Sequence, residues 1–255
     1  MLLLGAIGLI CGIILTIASK LMAVPVDERL EAIRAILPNA NCGACGYPGC
    51  DGFAKALAAG EAPVTGCPPG GAEVAEALSE MLGVEAGAVL RQRAAVRCSG
   101  CAENRKEKMT YVGALTCTYV SQLYGGPTAC FYACQGLGDC IAACQFDAIN
   151  VVNGLALIDP ARCTSCMLCV ATCPKGLIQM APAGGAAIVS CSNLDRGAIT
   201  RKACSVGCIG CSICVRECAA GAIVVENNLA RVDYAKCIGC GDCVEACPQK
   251  TIYVN

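Results

Sequence analysis

The chain has 255 residues, of which 26 are cysteine, with a formal net charge of −1 and neither histidine nor tryptophan. The lack of histidine excludes Rieske centres, histidine-ligated haem and imidazole-dependent acid–base catalysis. Only 4% of the residues are aromatic and the net charge is close to zero, so the composition argues against nucleic acid as a partner.

The spacing of the cysteines identifies their chemistry. Two runs read C-x2-C-x2-C-x3-C-P, one beginning at Cys163 and the other at Cys237. Bacterial ferredoxins use this spacing, because a four-iron cluster needs several thiolates from one tight turn. Disulfide frameworks do not require such runs, and zinc sites usually take separated pairs. The sequence therefore predicts iron–sulfur clusters and one-electron transfer.

Residues 1–24 are predicted to form a transmembrane anchor. Leu2 to Ala18 carry no charge, and Lys20 can reach the headgroups near the helix end. A secretory signal peptide is the alternative, but no positive charge precedes the apolar run. The nearest positive charges, from Lys20 to Arg34, follow it, which predicts a single-pass protein of the cell (inner) membrane with cytoplasmic C-terminal domains.

Residues 25–90 are predicted to form a small helical domain with one four-iron cluster. Apolar residues recur at three- and four-residue spacing from Leu30 to Leu37, which predicts a helix ending at Pro38. The glycine-rich segment that follows allows the backbone to fold around a cluster. Zinc and redox-active thiols are the alternatives for its four cysteines, Cys42, Cys45, Cys50 and Cys67.

Residues 91–128 are predicted to be a basic connecting segment. Six of its residues between 91 and 108 are Lys or Arg and only two are acidic. Such a patch is either a solvated face that offsets the charge of nearby clusters or a docking surface for an acidic electron carrier.

The remaining part of the chain contains a duplication. Cys163 aligns with Cys237 under a shift of 74 residues, and the match extends upstream through Ala148 and Asp159 without a gap. The repeat predicts module 1 over 129–180, a connector over 181–202 and module 2 over 203–255. With the helical domain and anchor, this gives an α+β fold.

Each module resembles a two-cluster ferredoxin, in which the first three cysteines of one run share a cluster with the last cysteine of the other. The resemblance implies three complete ligand sets in the modules. They are Cys208, Cys211, Cys214 and Cys247; Cys218, Cys237, Cys240 and Cys243; and Cys144, Cys163, Cys166 and Cys169.

The fourth set lacks a ligand. Cys134, Cys140 and Cys173 are present, but Leu137 stands where module 2 has Cys211. We favour Cys130 as the replacement thiolate, with a three-iron cluster as the alternative. Cys204 occupies the place equivalent to Cys130 in a module that already has its full set, which weakens this assignment.

Five further cysteines have no place in these sets. Four of them are expected to form a sixth cluster, and buried unligated thiols are the alternative. They are Cys98, Cys101, Cys117, Cys191 and Cys204. The total is therefore five four-iron clusters with an expected sixth, one of them a three-iron cluster if Cys130 does not bind.

The order of these motifs resembles the B subunit of the Rnf complex. The resemblance rests on CGACGYPGC with a distant CPPGG, followed by GGPTACFYACQGLGDC and VGCIGCSIC, and covers nearly the whole chain. It implies a membrane-anchored electron-transfer subunit of an ion-pumping ferredoxin:NAD+ oxidoreductase, with soluble ferredoxin and the other subunits as partners. The chain shows no dinucleotide or phosphate-binding loop, so no independent active site is expected. The alternative is a non-pumping membrane-tethered polyferredoxin adaptor for another reductase.

Overall fold

The computed structural model describes residues 2–21, 27–87, 89 and 91–254. The predicted anchor and helical domain include residues 1, 22–26, 88 and 90, and module 2 includes residue 255, all of which lie outside the described chain.

The first helix, α1, spans Leu2–Leu21. Its side chains are described over residues 8–18, where the large apolar ones between Leu9 and Ile17 are exposed. In the part of the chain that the structure describes, no helix meets the length and apolarity needed to cross a membrane. The transmembrane anchor over residues 1–24 stays a prediction.

Three helices form the helical domain over its described residues. The Asp27 carboxylate caps the first of them by accepting the Arg29 N–H at 3.0 Å, and that helix ends just before Pro38, as the sequence predicts. Fully buried Ile33, Phe53 and Leu78 form the core between the three. The helices are α2 (Glu28–Ile36), α3 (Gly49–Ala58) and α4 (Gly71–Leu82).

Module 1 combines two antiparallel ladders with short helices. Its strands are β1 (Gln92–Val96), β2 (Ile149–Val152), β3 (Leu155–Ile158) and β4 (Ile178–Pro182), with β1 paired to β4 and β2 to β3. Its helices are α5 (Cys117–Gln122), α6 (Asp139–Ala142) and α7 (Leu168–Thr172).

Module 2 repeats this arrangement. Its strands are β5 (Ala187–Val189), β6 (Ile223–Glu226), β7 (Leu229–Val232) and β8 (Ile252–Val254), with β5 paired to β8 and β6 to β7. Its helices are α8 (Gly197–Ala203), α9 (Ile213–Arg216) and α10 (Asp242–Glu245).

The structure differs from the predicted module boundaries. β1 lies in the predicted connecting segment and β5 in the predicted connector, yet each pairs with the last strand of its module. Val96 lies opposite Ile178, and Val189 lies opposite Ile252, which is the repeat equivalent of Ile178. Each module therefore needs a strand from before its predicted start to complete its second ladder.

The turns around the cysteines also repeat. Gly136 and Gly210 are equivalent in the repeat and precede Leu137 and Cys211; their φ angles are +68° and +66°. A Cβ on Gly136 would stand 2.2 Å from the Gly154 carbonyl oxygen, so only glycine fits there.

Candidate iron–sulfur sites

All 26 cysteines are free thiols. Within the described residues, no three Cys, Asp or Glu side chains stand close enough together to bind one metal ion. The thiols instead group around cavities and loops in sets of four.

The helical-domain site consists of Cys42, Cys45, Cys50 and Cys67. Burial raises the pKa of the Cys67 thiol against the opposing effect of the Gly70 N–H, and the other three cysteines raise it further. The loop is held by Asn41, whose side-chain oxygen accepts the Cys50 N–H at 2.8 Å. The fold therefore brings together the four thiols that the sequence predicts for one cluster.

Site 2a consists of Cys208, Cys211, Cys214 and Cys247, and all four line one cavity that leaves about 370 Å³ unfilled by protein atoms. Burial raises the pKa of Cys214 to about 11, and the other three thiols add to this shift. The set implied by the ferredoxin resemblance is thus assembled around a single space.

Site 2b and site 1b show the same grouping of four thiols. In site 2b, burial raises the pKa of Cys243, and its three companions raise it further. In site 1b, burial and the three companions raise the pKa of Cys169 to about 12. Site 2b is Cys218, Cys237, Cys240 and Cys243; site 1b is Cys144, Cys163, Cys166 and Cys169.

A backbone hydrogen bond recurs at the last cysteine of each ferredoxin run. The residue four positions later donates its N–H to the thiol, at 3.4 Å for Cys144 and Cys173, 3.3 Å for Cys218 and 3.5 Å for Cys247. Donors of this kind stabilise a thiolate and tune the potential of a bound cluster.

The fourth set in the modules, site 1a, differs from the prediction. Its cavity leaves about 380 Å³ unfilled and is lined by Cys117, Cys134, Cys140 and Cys173. Burial raises the pKa of Cys140 to about 11, and the other three thiols add to the shift. Cys117 therefore stands where Leu137 leaves a gap.

Cys130 does not lie in site 1a, so its assignment to the gap left by Leu137 is corrected. It is buried against Ala133 and Ala203, on the side of the loop that faces module 2. The physical reason is that the chain between Cys130 and Cys134 places Cys130 at a different cavity, whose lining it shares with Cys191 and Cys204.

Cys117 is brought into place by the start of α5. The Asp139 carboxylate accepts the Cys117 N–H at 2.8 Å and the Thr118 N–H at 3.0 Å. These bonds lower the pKa of Asp139 although burial alone would raise it. Where module 1 has Asp139, module 2 has Ile213. Module 1 therefore differs from module 2 at both Leu137 and Asp139, and this double difference is the sequence signal that could have pointed to Cys117.

The other cysteines outside the predicted sets lie in different surroundings. Cys98, Cys191 and Cys204 line a third cavity, together with Cys130. Cys101 is absent from the lining of that cavity, and its thiol accepts a hydrogen bond from Asn104 Nδ2 at 3.1 Å. Cys11 lies on α1 and is exposed.

The predicted basic segment is partly structural. Arg97 donates to the Gln179 side chain at 2.9 Å, and Arg105 donates to the carbonyl oxygens of Cys134 and, at 3.1 Å, Gly154. These two guanidinium groups are half-buried and fix loops, whereas Lys106 is exposed. Within this segment Arg105 therefore supports loops, and the prediction of either a solvated face or a docking surface applies to exposed residues such as Lys106.

The sites of module 1 are close to one another and to the helical domain. Burial is the largest cause of the raised pKa of Cys166 and of Cys169, and neighbouring thiols add to it. For Cys166 these include Cys42 of the helical-domain site, and for Cys169 they include Cys140 of site 1a. In module 2, Cys243 of site 2b acts in the same way on Cys214 of site 2a.

The residues fit iron–sulfur clusters. Every set is composed of thiols alone, which is the donor type of four-iron clusters. Burial raises the pKa of Cys140, Cys169 and Cys214, so that a cluster bound by these three thiols has to displace their protons. At sites 1a and 2a the four thiols also line one shared cavity.

Comparison with protein families agrees with this assignment. Residues 37–69 match a family model described as an Fe-S cluster, residues 155–178 match a 4Fe-4S binding domain, and residues 207–252 match a 4Fe-4S dicluster domain. The three matches fall on the helical domain, module 1 and module 2.

Curated relatives extend the similarity over most of the chain. The B subunit of the Na(+)-translocating ferredoxin:NAD(+) oxidoreductase complex of Acetobacterium woodii is 44% identical over 91% of this chain and 70% of its own length. The B subunit of the ion-translocating oxidoreductase complex of Methanosarcina acetivorans is 39% identical over 98% and 95%. The B subunit of the proton-translocating ferredoxin:NAD(+) oxidoreductase complex of Clostridium ljungdahlii is 38% identical over 89% and 81%. With this identity and coverage, and with the thiol sets in place, the chain belongs to the family of B subunits of the Rnf-type ion-translocating oxidoreductase complexes.

Proposed function

We propose that this chain carries electrons from reduced soluble ferredoxin, docked at module 2, through module 1 to the helical-domain site, within a membrane-bound Rnf-type ferredoxin:NAD+ oxidoreductase. The observation that carries the proposal is the row of thiol sets. Cys42 neighbours Cys166, and Cys140 neighbours Cys169, so three sites follow one another without a gap. A bound four-iron cluster accepts and returns one electron.

Exposure supports entry at module 2. Cys211 of site 2a and Cys240 of site 2b are exposed, whereas no cysteine of sites 1a and 1b is. Ile238, between Cys237 and Cys240, is 73% exposed. A carrier that docks here brings its own cluster close to a ligand thiol, and a short separation is what one-electron transfer between proteins requires.

Exit at the opposite end is supported by the anchor prediction. The helical-domain site lies close in sequence to α1, whose exposed apolar side chains suit a lipid environment or a neighbouring transmembrane protein. We infer that the chain is a single-pass protein of the cell membrane, with its domains in the cytoplasm. The part of the complex that binds nicotinamide and moves ions then belongs to other subunits.

Membership in an ion-translocating complex is supported by the relatives. The names of these three relatives state that their complexes translocate sodium, an ion that is not named, and protons, respectively. This favours a component of a pumping complex over a non-pumping polyferredoxin adaptor.

The proposal is tested by the rate at which reduced ferredoxin reduces the full chain in anaerobic stopped flow. Ile238→Glu places a negative charge beside the exposed thiols of module 2, which repels an acidic carrier and is expected to slow reduction about tenfold at low salt. Val112→Glu is the matched control, because Val112 is 91% exposed and lies outside the modules' cysteine runs. Equal rates for the two variants would mean that ferredoxin docks elsewhere.

A further inference from the structure

We propose that Cys98, Cys130, Cys191 and Cys204 bind a sixth four-iron cluster at the junction of the two modules, which we call the bridging site. The assignment of ligands comes from the cavity that these thiols line. Only the role of the site in electron transfer rests on the proposed function.

The cavity resembles those of sites 2a and 1a. The space between its protein atoms, open solvent included, is about 360 Å³, against about 370 Å³ at site 2a and about 380 Å³ at site 1a. Its lining includes four cysteines, as theirs does. Cys130, Cys191 and Cys204 are buried, and Cys98 is half-buried. The four thiols in this lining match the donor set of a four-iron cluster.

The four thiols form two pairs related by the duplication. Cys98 follows the last residue of β1 by two positions, and Cys191 follows the last residue of β5 by two. The registers of β1 and β5 against β4 and β8 make these positions equivalent. Cys130 and Cys204 each precede the first cysteine of a ferredoxin run by four residues. Each module therefore contributes the same two thiols, which explains why Cys204 is present in a module whose own sites are complete.

The hydrogen bonds around the cavity repeat in the same way. The Cys208 N–H donates to the Cys191 thiol at 3.3 Å, and the equivalent Cys134 N–H bonds the Cys98 thiol, partly offsetting the effect of burial on its pKa. In addition, the Asn193 amide, which is 1% exposed, donates to the Cys130 thiol at 3.4 Å. A buried amide directed at a buried sulfur is the arrangement that stabilises a ligating thiolate.

The backbone leaves room beside two of the thiols. A Cβ on Gly100 would lie 3.3 Å from the Cys204 sulfur and 3.7 Å from the Cys98 sulfur. Glycine at this position keeps side-chain atoms out of the space between them. Such close approach of backbone to a ligand is a common use of glycine.

The bridging site lies between site 1a of module 1 and site 2a of module 2, where the row of thiol sets would otherwise be interrupted. Cys98 contacts the backbone of Cys134 in site 1a, and Cys191 contacts that of Cys208 in site 2a. With it, the thiol sets run without interruption from site 2b to the helical-domain site. Without it, the two modules would be connected by protein alone.

The test is the iron, acid-labile sulfide and zinc content of the anaerobically purified full chain. We expect about 24 iron atoms per chain and no stoichiometric zinc, and about 20 iron atoms after Cys130→Ala or Cys191→Ala. Cys101→Ala is the matched control, because Cys101 lies near Cys204 but outside the cavity lining, and it is expected to keep all the iron.

Two results would overturn the bridging site. One is about 20 iron atoms in the unaltered chain, with or without one zinc atom, a measurement that needs no variant to fold. The other is loss of four iron atoms from Cys101→Ala and none from Cys130→Ala. Neither readout depends on ferredoxin, so a failed docking experiment leaves this inference standing, and the reverse also holds.

Discussion

At the scale of single residues, the regular cysteine runs could be assigned from sequence and the irregular ones could not. Spacing places three thiols of a run in one turn, and the resemblance to two-cluster ferredoxins implies the fourth thiol of sites 1b, 2a and 2b. The thiol that replaces the ligand missing at Leu137 could not be assigned in this way. Cys117 is 17 residues before Cys134 and reaches site 1a through α5. Local spacing carries no information about such an approach.

Site 1a allows a rescue experiment. Cys117→Ala removes one thiol, so we expect its cluster to be lost or to become a three-iron cluster, visible by electron paramagnetic resonance of the oxidised protein. Adding Leu137→Cys restores the spacing of module 2 and is expected to restore the four-iron cluster. Cys130→Ala should leave the site 1a signal unchanged. A normal signal in Cys117→Ala would contradict the assignment.

At the scale of elements, the helix α2 and the repeat were predictable and the closing strands were not. The apolar spacing before Pro38 predicted the helix, and gap-free alignment revealed the repeat. β1 and β5 are short strands separated from their partners by at least 60 residues of intervening chain, and only their register with β4 and β8 identifies them. This long-range pairing is also what makes Cys98 equivalent to Cys191.

The loops between these elements depend on Arg105. Its guanidinium donates to carbonyl groups of Gly100, Cys134 and Gly154 from a half-buried position. Arg105→Leu leaves these acceptors without a charged donor, at a cost of about 2 kcal/mol, and we expect cluster loss to an iron chelator to accelerate about tenfold.

The matched control for Arg105 is the adjacent exposed residue. Lys106→Leu removes the same charge without removing those hydrogen bonds, so its rate of bleaching, followed by visible absorbance, should equal that of the unaltered chain. If the two variants bleached at one rate, Arg105 would act through charge alone.

At the scale of the whole molecule, the cysteines are part of the packing as well as the chemistry. The cores of both modules consist of aliphatic side chains interleaved with cysteines such as Cys140 and Cys169 in one and Cys214 and Cys243 in the other. The duplication places two ferredoxin modules side by side, and the bridging site lies where they meet. Sequence predicted the number of modules and the family, but the junction emerges only when both modules are folded.

The most direct test of the account is to locate the iron centres by anomalous scattering at the iron absorption edge in crystals of the anaerobic full chain. We predict six centres in one unbroken row, beginning at Cys237, Cys240 and Cys243 and ending at Cys42, Cys45 and Cys50, with one centre between Cys98 and Cys191. Five centres with no iron at the junction of the modules would contradict it.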